Sequence, residues 1–296
     1  MKKRIFTGAG VAILTPMHPD GSINFPELGR LIDWQIEGST DAIIICGTTG
    51  ETPTLTDEEQ RQLIAFAVER VAGRVPVIAG TGTNDTSRTI SRCKAAKELG
   101  ADGLLVVTPY YNNASQRGIV AHYNAVADAT DLPLIVYHIP GRTGLTIAPK
   151  TFAELAKHPN IVAVKEASGN ISAIAETRFL CGDGLDFYSG EDAQIVPILS
   201  LGGIGVISVL SHLVPKQVHD MCALYFAGKT AESAALQIGL MDLIRAIFID
   251  VNPIPVKEAV NLMGFAAGPC RMPLSPMDEK DRDVLIAAMK RHGLLA

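Results

Sequence analysis

Lys165 follows the apolar run Ile161-Val-Ala-Val164, placing an amine where a buried strand is expected to emerge. A lysine there either forms a buried ion pair, with Glu166 or another carboxylate, or gives up its proton readily and acts as an amine nucleophile. At an ordinary pKa of ~10.4 only about one lysine in a thousand is neutral near pH 7.4, whereas a pKa of ~7.5 frees nearly half of them. We read Lys165 as the nucleophile because other reactive groups fall at matching points of neighbouring apolar runs. Tyr137 ends Leu134-Ile-Val-Tyr137 and is either a proton carrier for a carbonyl held by Lys165 or a core-edge tyrosine. Arg142, in Pro140-Gly-Arg-Thr-Gly144, either suits bidentate capture of a carboxylate or is a solvated loop arginine. Thr48 and Thr49, in Gly47-Thr-Thr-Gly-Glu-Thr52, are either turn residues or hydroxyl donors to a substrate. Tyr110-Tyr111, after Thr108-Pro109, either packs at a rim or enters a subunit interface.

Eight short apolar runs must position these groups: Val11–Leu14, Ala42–Cys46, Val75–Ala79, Gly103–Val107, Leu134–Tyr137, Ile161–Val164, Leu185–Tyr188 and Ile204–Ile207. Most are continuous rather than alternating, as in parallel strands buried on both faces. Amphipathic stretches lie between them. Asp57–Ala72 opens behind a capping box, Thr56 with Glu59, and a second helix is expected over Asp85–Leu99. Eight strand–helix units predict a (β/α)₈ TIM barrel over residues 1–228, with a doubly wound sheet as the alternative. Helical patterns near Ala231–Phe248, Val256–Met263 and Asp278–His292 predict a C-terminal helical appendage over 229–296, packed on the barrel. In such a barrel chemistry sits at the carboxyl ends of the strands, where the polar segments above gather from four runs.

Composition excludes other classes. Of the 296 residues 47% are apolar and 19% charged, enough for a large core. The net charge of −5 and the lack of a basic block give no footprint for nucleic acid. The five cysteines are scattered, with no C-x-x-C pair, which points to a reducing, cytoplasmic compartment. No apolar segment suits a secretory signal or approaches the ~18 residues of a membrane span. Gly8-Ala-Gly10, Gly80-Thr-Gly82 and Gly203-Ile-Gly205 lack the third glycine of a dinucleotide fingerprint, and no phosphate-loop lysine motif occurs. The seven histidines lack zinc-ligand spacing, and Ser168 lacks the first glycine of a nucleophile elbow.

The segments G-T-T-G-E-T (Gly47–Thr52), T-P-Y-Y-N (Thr108–Asn112), Y-x-I-P-G-R-T-G (Tyr137–Gly144), K-E-A-S-G-N (Lys165–Asn170) and N-P-I-P-V-K (Asn252–Lys257) resemble the dihydrodipicolinate synthase family. It belongs to the pyruvate-dependent class I aldolases that include N-acetylneuraminate lyase, and the resemblance spans essentially the whole chain. It implies condensation of pyruvate with L-aspartate 4-semialdehyde in lysine and diaminopimelate biosynthesis, with no cofactor or metal. Lys165 would form a Schiff base with pyruvate, and Tyr137 would give and take protons. Thr48 and Tyr111 would complete its relay, Tyr111 reaching in from a neighbouring subunit. Thr49, with backbone at Ile207 and Gly190, would hold the pyruvate carboxylate, and Arg142 would guide that of the semialdehyde. The implied assembly is a homotetramer, a dimer of dimers.

Tyr110-Tyr111 and Arg142 favour this branch over sialic acid lyases. His138 stands where the family more often has asparagine, next to Tyr137. Where lysine-inhibited members carry histidine and glutamate this chain has Asp57, Gln60 and Arg88, while Asn84 and Tyr110 are retained, so lysine feedback is expected to be weak or absent. Two other readings are an aldolase acting on a 2-oxo sugar acid and a non-catalytic keto-acid-binding barrel. The latter has no need for both Lys165 and Tyr137.

Overall fold

The eight apolar runs are eight parallel strands. The structure, a computed structural model, describes residues 2–296. Strands β1 (Gly8–Ala12), β2 (Ala42–Ile45), β3 (Val77–Gly80) and β4 (Gly103–Val107) lie side by side in sequence order. Strands β5 (Leu134–His138), β6 (Ile161–Glu166), β7 (Asp186–Ser189) and β8 (Gly205–Ser208) continue the order, and β8 returns to pair with β1. The (β/α)₈ barrel is therefore closed, and the doubly wound alternative, which needs open edges, is excluded.

Helices α1 (Phe25–Glu37), α2 (Asp57–Val71), α3 (Thr86–Glu98) and α4 (Gln116–Asp128) follow the first four strands. A short turn, α5 (Pro140–Thr143), and α6 (Pro149–Leu155) follow β5, and α7 (Ile171–Cys181), α8 (Ile195–Ser200) and α9 (Pro215–Phe226) follow the last three strands. The capping box of α2 is formed: Thr56 Oγ1 accepts from the Glu59 N–H, and the Glu59 carboxylate accepts from the Thr56 N–H. No helix among the described residues is long and apolar enough to cross a membrane.

Strand alternation splits the core into two layers. Ile44, Ile78, Leu105, Ile135 and Tyr137 fill the barrel, while Val136, Val164 and Val206 pack outward beneath the helices. The strand positions follow the apolar runs to within a few residues, with one instructive offset. β1 begins at Gly8 rather than at Val11, because β1 and β8 approach too closely there for side chains. A Cβ on Gly205 would lie 2.0 Å from the Gly8 carbonyl oxygen. That pairing needs glycine and so leaves no apolar signal.

Beyond α9, the expected helix over Ala231–Phe248 is two, α10 (Thr230–Gly239) and α11 (Met241–Ile247), broken behind the poor helix former Gly239. α12 (Ile254–Leu262) and α13 (Glu279–Arg291) occupy the other two predicted stretches. The loop from α11 into α12 passes over the carboxyl ends of the strands, which brings it to the site.

Candidate active site

Register does the first step of assembly. In the β5–β6 pair Tyr137 stands beside Lys165 and His138 beside Glu166. Because faces alternate, the first pair looks into the barrel and the second toward the helices. Lys165 is 5% exposed, and its Nζ lies 4.2 Å from the centre of the Tyr137 ring. It makes no ion pair or hydrogen bond among the described residues. Burial pulls its pKa down to about 8, assisted by the Arg142 charge and opposed by Asp192 and Glu191. Burial likewise pushes the Tyr137 hydroxyl up to about 12, although the Arg142 charge and the Thr48 hydroxyl pull it back. The site thus pairs an amine that gives up its proton easily with a phenol that holds its own.

The ion-pair alternative for Lys165 is not taken up, because Glu166 is engaged elsewhere. Its carboxylate lies 2.9 Å from His138 Nδ1 and accepts the Ser168 N–H at 2.7 Å. His138 Nε2 accepts from the Ile147 N–H at 3.1 Å, so the ring proton sits on Nδ1 and is donated to Glu166. His138 is therefore outside the barrel, edge-on to Phe152, and its bonds run away from Tyr137.

Gly190, directly after β7, donates its N–H to the Glu166 carbonyl at 2.7 Å. A Cβ there would lie 3.1 Å from Lys165 Cε and 2.8 Å from Ala167 Cβ, so glycine lets the β7 end close over the lysine. Asp192 is buried behind it, accepting from the Ser208 hydroxyl and from the Val209 and Leu210 N–H groups. Ile207 is buried in β8 within the barrel layer.

Thr48 and Thr49 leave β2 in a tight loop that ends at Glu51, whose φ is +58°. Thr49 is buried, and its hydroxyl oxygen accepts from Asn252 Nδ2 at 3.0 Å. The Arg142 guanidinium, on the α5 turn, donates to the Asn252 carbonyl oxygen at 2.9 Å. Glu51 meets Lys257 at 2.6 Å in a fully buried ion pair, and its other oxygen accepts the Arg271 N–H. Asn252, Lys257 and Asp192 were not singled out for any role from sequence. The only signal for the first two was their place in N-P-I-P-V-K.

A cavity of about 330 Å³ opens at this face, lined by Thr48, Tyr137 and Arg142 at one end and by Tyr110, Arg88 and Arg92 at the other. No carboxylate lines it. Tyr111 is outside it: this residue is 92% exposed, at a φ of +71°. One chain thus gathers Lys165, Tyr137, Thr48, Thr49, Arg142, Gly190 and Ile207 at the carboxyl ends of the strands and leaves Tyr111 in solvent. Among the described residues no His, Cys, Asp and Glu side chains cluster as a metal site.

This arrangement has the parts for amine attack on a carbonyl beside bound carboxylates. The sequence model of the dihydrodipicolinate synthetase family matches residues 5–292. The chain belongs to this family. It is 52% identical over 290 residues, 98% of both chains, to a protein of Caldicellulosiruptor saccharolyticus named 4-hydroxy-tetrahydrodipicolinate synthase. A crystal structure of dihydrodipicolinate synthase from Thermotoga maritima superposes with a TM-score of 0.96 at 42% identity, covering 99% of this chain and 100% of that one. A structure of the Cyanidioschyzon merolae enzyme with lysine bound superposes equally well, with a TM-score of 0.96 at 41% identity and the same coverage. Family membership accounts for the full length of the barrel and its C-terminal helices together.

Proposed function

We propose that this chain is a 4-hydroxy-tetrahydrodipicolinate synthase, condensing pyruvate with L-aspartate 4-semialdehyde through a lysine Schiff base. The observation that carries the reading is Lys165: a buried amine with no ionic partner among the described residues, held over a tyrosine in a chain of this family. Its neutral form attacks C2 of pyruvate, and loss of water leaves a protonated imine. That cation acidifies the methyl group, whose proton departs to give an enamine. The enamine carbon forms a bond to the aldehyde carbon, and the aldehyde oxygen takes up a proton. The substrate amine then attacks the imine carbon, closes the ring and releases Lys165. Tyr137 is placed to carry the protons, with Thr48 beside it. Thr49 and the backbone at Ile207 hold the pyruvate carboxylate, Arg142 holds that of the semialdehyde, and Gly190, whose N–H is already given to the Glu166 carbonyl, serves by leaving room beside Lys165. The lysine supplies the electron sink, so the cycle needs neither cofactor nor metal.

Borohydride reduction in the presence of pyruvate tests this. The expected result is one reduced adduct that maps to Lys165, in an enzyme that consumes semialdehyde. An adduct without semialdehyde consumption would transfer the mechanism to another aldehyde, and no adduct would remove it.

The exposure of Tyr111 supports a homo-oligomer in which this residue completes the Tyr137–Thr48 relay of a partner, and the family resemblance implies a tetramer built as a dimer of dimers. Tyr111→Phe is then expected to lower turnover by roughly 10²-fold, the scale of a lost proton-transfer group, with pyruvate binding little changed. Near-normal turnover would take Tyr111 out of the relay. The five unpaired cysteines support a cytoplasmic enzyme.

Feedback by lysine is weak or absent in this reading. Asp57 does not line the cavity but bonds two residues that do, Arg88 at 3.0 Å and Arg92 at 2.5 Å. A lysine ammonium arriving there meets two guanidinium groups and an acid that is already neutralised. Titrating lysine into the assay is expected to change the rate little or not at all, and sub-millimolar inhibition would overturn the idea.

A further inference from the structure

We infer that Asn252 is a positioning residue for pyruvate, acting through Thr49, and that the loop between α11 and α12 is thereby part of the active site. The inference deepens the proposed function and rests on its assignment of Thr49 to the pyruvate carboxylate. Asn252 lies 203 residues from Thr49 in the chain, is 7% exposed, and donates from Nδ2 to the Thr49 hydroxyl oxygen at 3.0 Å. A hydroxyl carries one proton and accepts through its lone pairs. With Asn252 supplying the donor, the Thr49 oxygen is fixed as an acceptor and its own proton is free, having no acceptor among the described residues. That proton can be directed at an incoming carboxylate. Asn252 thus sets the polarity of the Thr49 hydroxyl before substrate arrives, which removes the reorientation otherwise needed on binding.

The same residue touches the other carboxylate anchor in a different way. Arg142 donates to the Asn252 backbone carbonyl, not to its side chain. Side-chain substitution therefore separates the two substrates: truncation breaks the bond to Thr49 and keeps the bond to Arg142. Chemistry separates the variants further. Asn252 Oδ1 has no partner among the described residues, so an aspartate there would add a buried charge beside the Thr49 hydroxyl. The hydroxyl would then turn its proton to the aspartate and present its lone pairs to pyruvate.

The test measures the pyruvate dependence of borohydride-trappable adduct and the KM for semialdehyde in one series. Asn252→Ala is expected to weaken pyruvate binding roughly tenfold, the scale of one hydrogen bond to a charged group, with the semialdehyde KM unchanged. Asn252→Asp is expected to weaken pyruvate binding more than Asn252→Ala does. Thr49→Val is expected to weaken pyruvate binding, and Asn252→Ala is expected to add nothing in that background, as for two residues acting through one bond. Asn252→Ala with unaltered pyruvate binding, or with equal losses for both substrates, overturns the inference, as does a full Asn252→Ala effect in the Thr49→Val background. Thr49→Val with unaltered pyruvate binding instead removes the role assigned to Thr49, and the inference falls with it.

Discussion

Lys165→Met is expected to abolish the trappable pyruvate adduct, lower turnover by roughly 10³-fold or more, and leave the fold as stable as before or more stable. The first two effects follow from removing the amine that lies over the Tyr137 ring. Some rate is expected to remain because the substrate-holding roles proposed for Arg142 and Thr49 are kept, as happens when one member of a catalytic set is deleted. The third effect comes from the direction of the pKa shift. Lys165 is drawn from 10.5 to about 8 in the folded chain, mainly by burial. A lysine whose folded pKa lies below its unfolded value destabilises the fold fully below the folded pKa, and the penalty fades as pH rises from about 8 toward 10.5. At neutral pH the shift corresponds to about 3 kcal/mol against the native state. Methionine fills similar space without the charge, so the thermal midpoint at pH 7 is expected to hold or rise while turnover falls to its residual level. In the native enzyme the rate constant for adduct formation should climb through pH 8 and level off above it, as the neutral fraction saturates. Stopped-flow trapping between pH 6 and 10 reads this directly. A flat profile, or an adduct that survives in Lys165→Met, would remove this lysine as the nucleophile.

What made Lys165 legible in the sequence was contrast. A charged residue at the end of Ile161-Val-Ala-Val164 breaks a pattern that burial on both strand faces otherwise enforces. The same logic made the strands readable, and it failed where close backbone approach replaced apolar side chains, as at Gly8 and Gly205. His138 was legible only as a neighbour of Tyr137 along the chain. The two-residue period of a strand turns it to the other face, where it bonds Glu166 and settles which partner that carboxylate takes. Thr49 was ambiguous between turn and site, and what gives it a partner is an asparagine more than two hundred residues away. No local pattern encodes that meeting. It exists because the chain, after closing the barrel, returns across the strand ends before entering α12. The role proposed for Tyr111 lies further still from sequence logic, since it needs a second copy of the chain to meet this exposed side chain.

The Glu51–Lys257 pair is where that return path is fastened, and its loss is expected to cost more stability than any surface change. Both side chains are at most 2% exposed, 206 residues apart in the chain and 2.6 Å apart in space. Glu51 sits in the left-handed region at the end of the Thr48–Thr49 loop, so its carboxylate fixes that loop against α12. Lys257→Met leaves the carboxylate buried with the Arg271 N–H as its remaining donor. An uncompensated charge of this kind costs about 3–5 kcal/mol, a large fraction of the ~5–15 kcal/mol that holds a native domain together. The expected result is a clear fall in the urea midpoint and in the thermal midpoint, with weakened pyruvate binding as the threonine loop loosens. The double variant Glu51→Leu with Lys257→Met distinguishes charge from packing. If the penalty is the orphaned carboxylate, removing it as well should recover part of the stability lost in Lys257→Met, because two apolar groups leave no buried charge behind. If the double variant is as unstable as the sum of the singles, the pair contributes by shape alone. A loss below about 1 kcal/mol in Lys257→Met, the range of an exposed ion pair, would mean that water reaches Glu51 and that the loop is not fastened there.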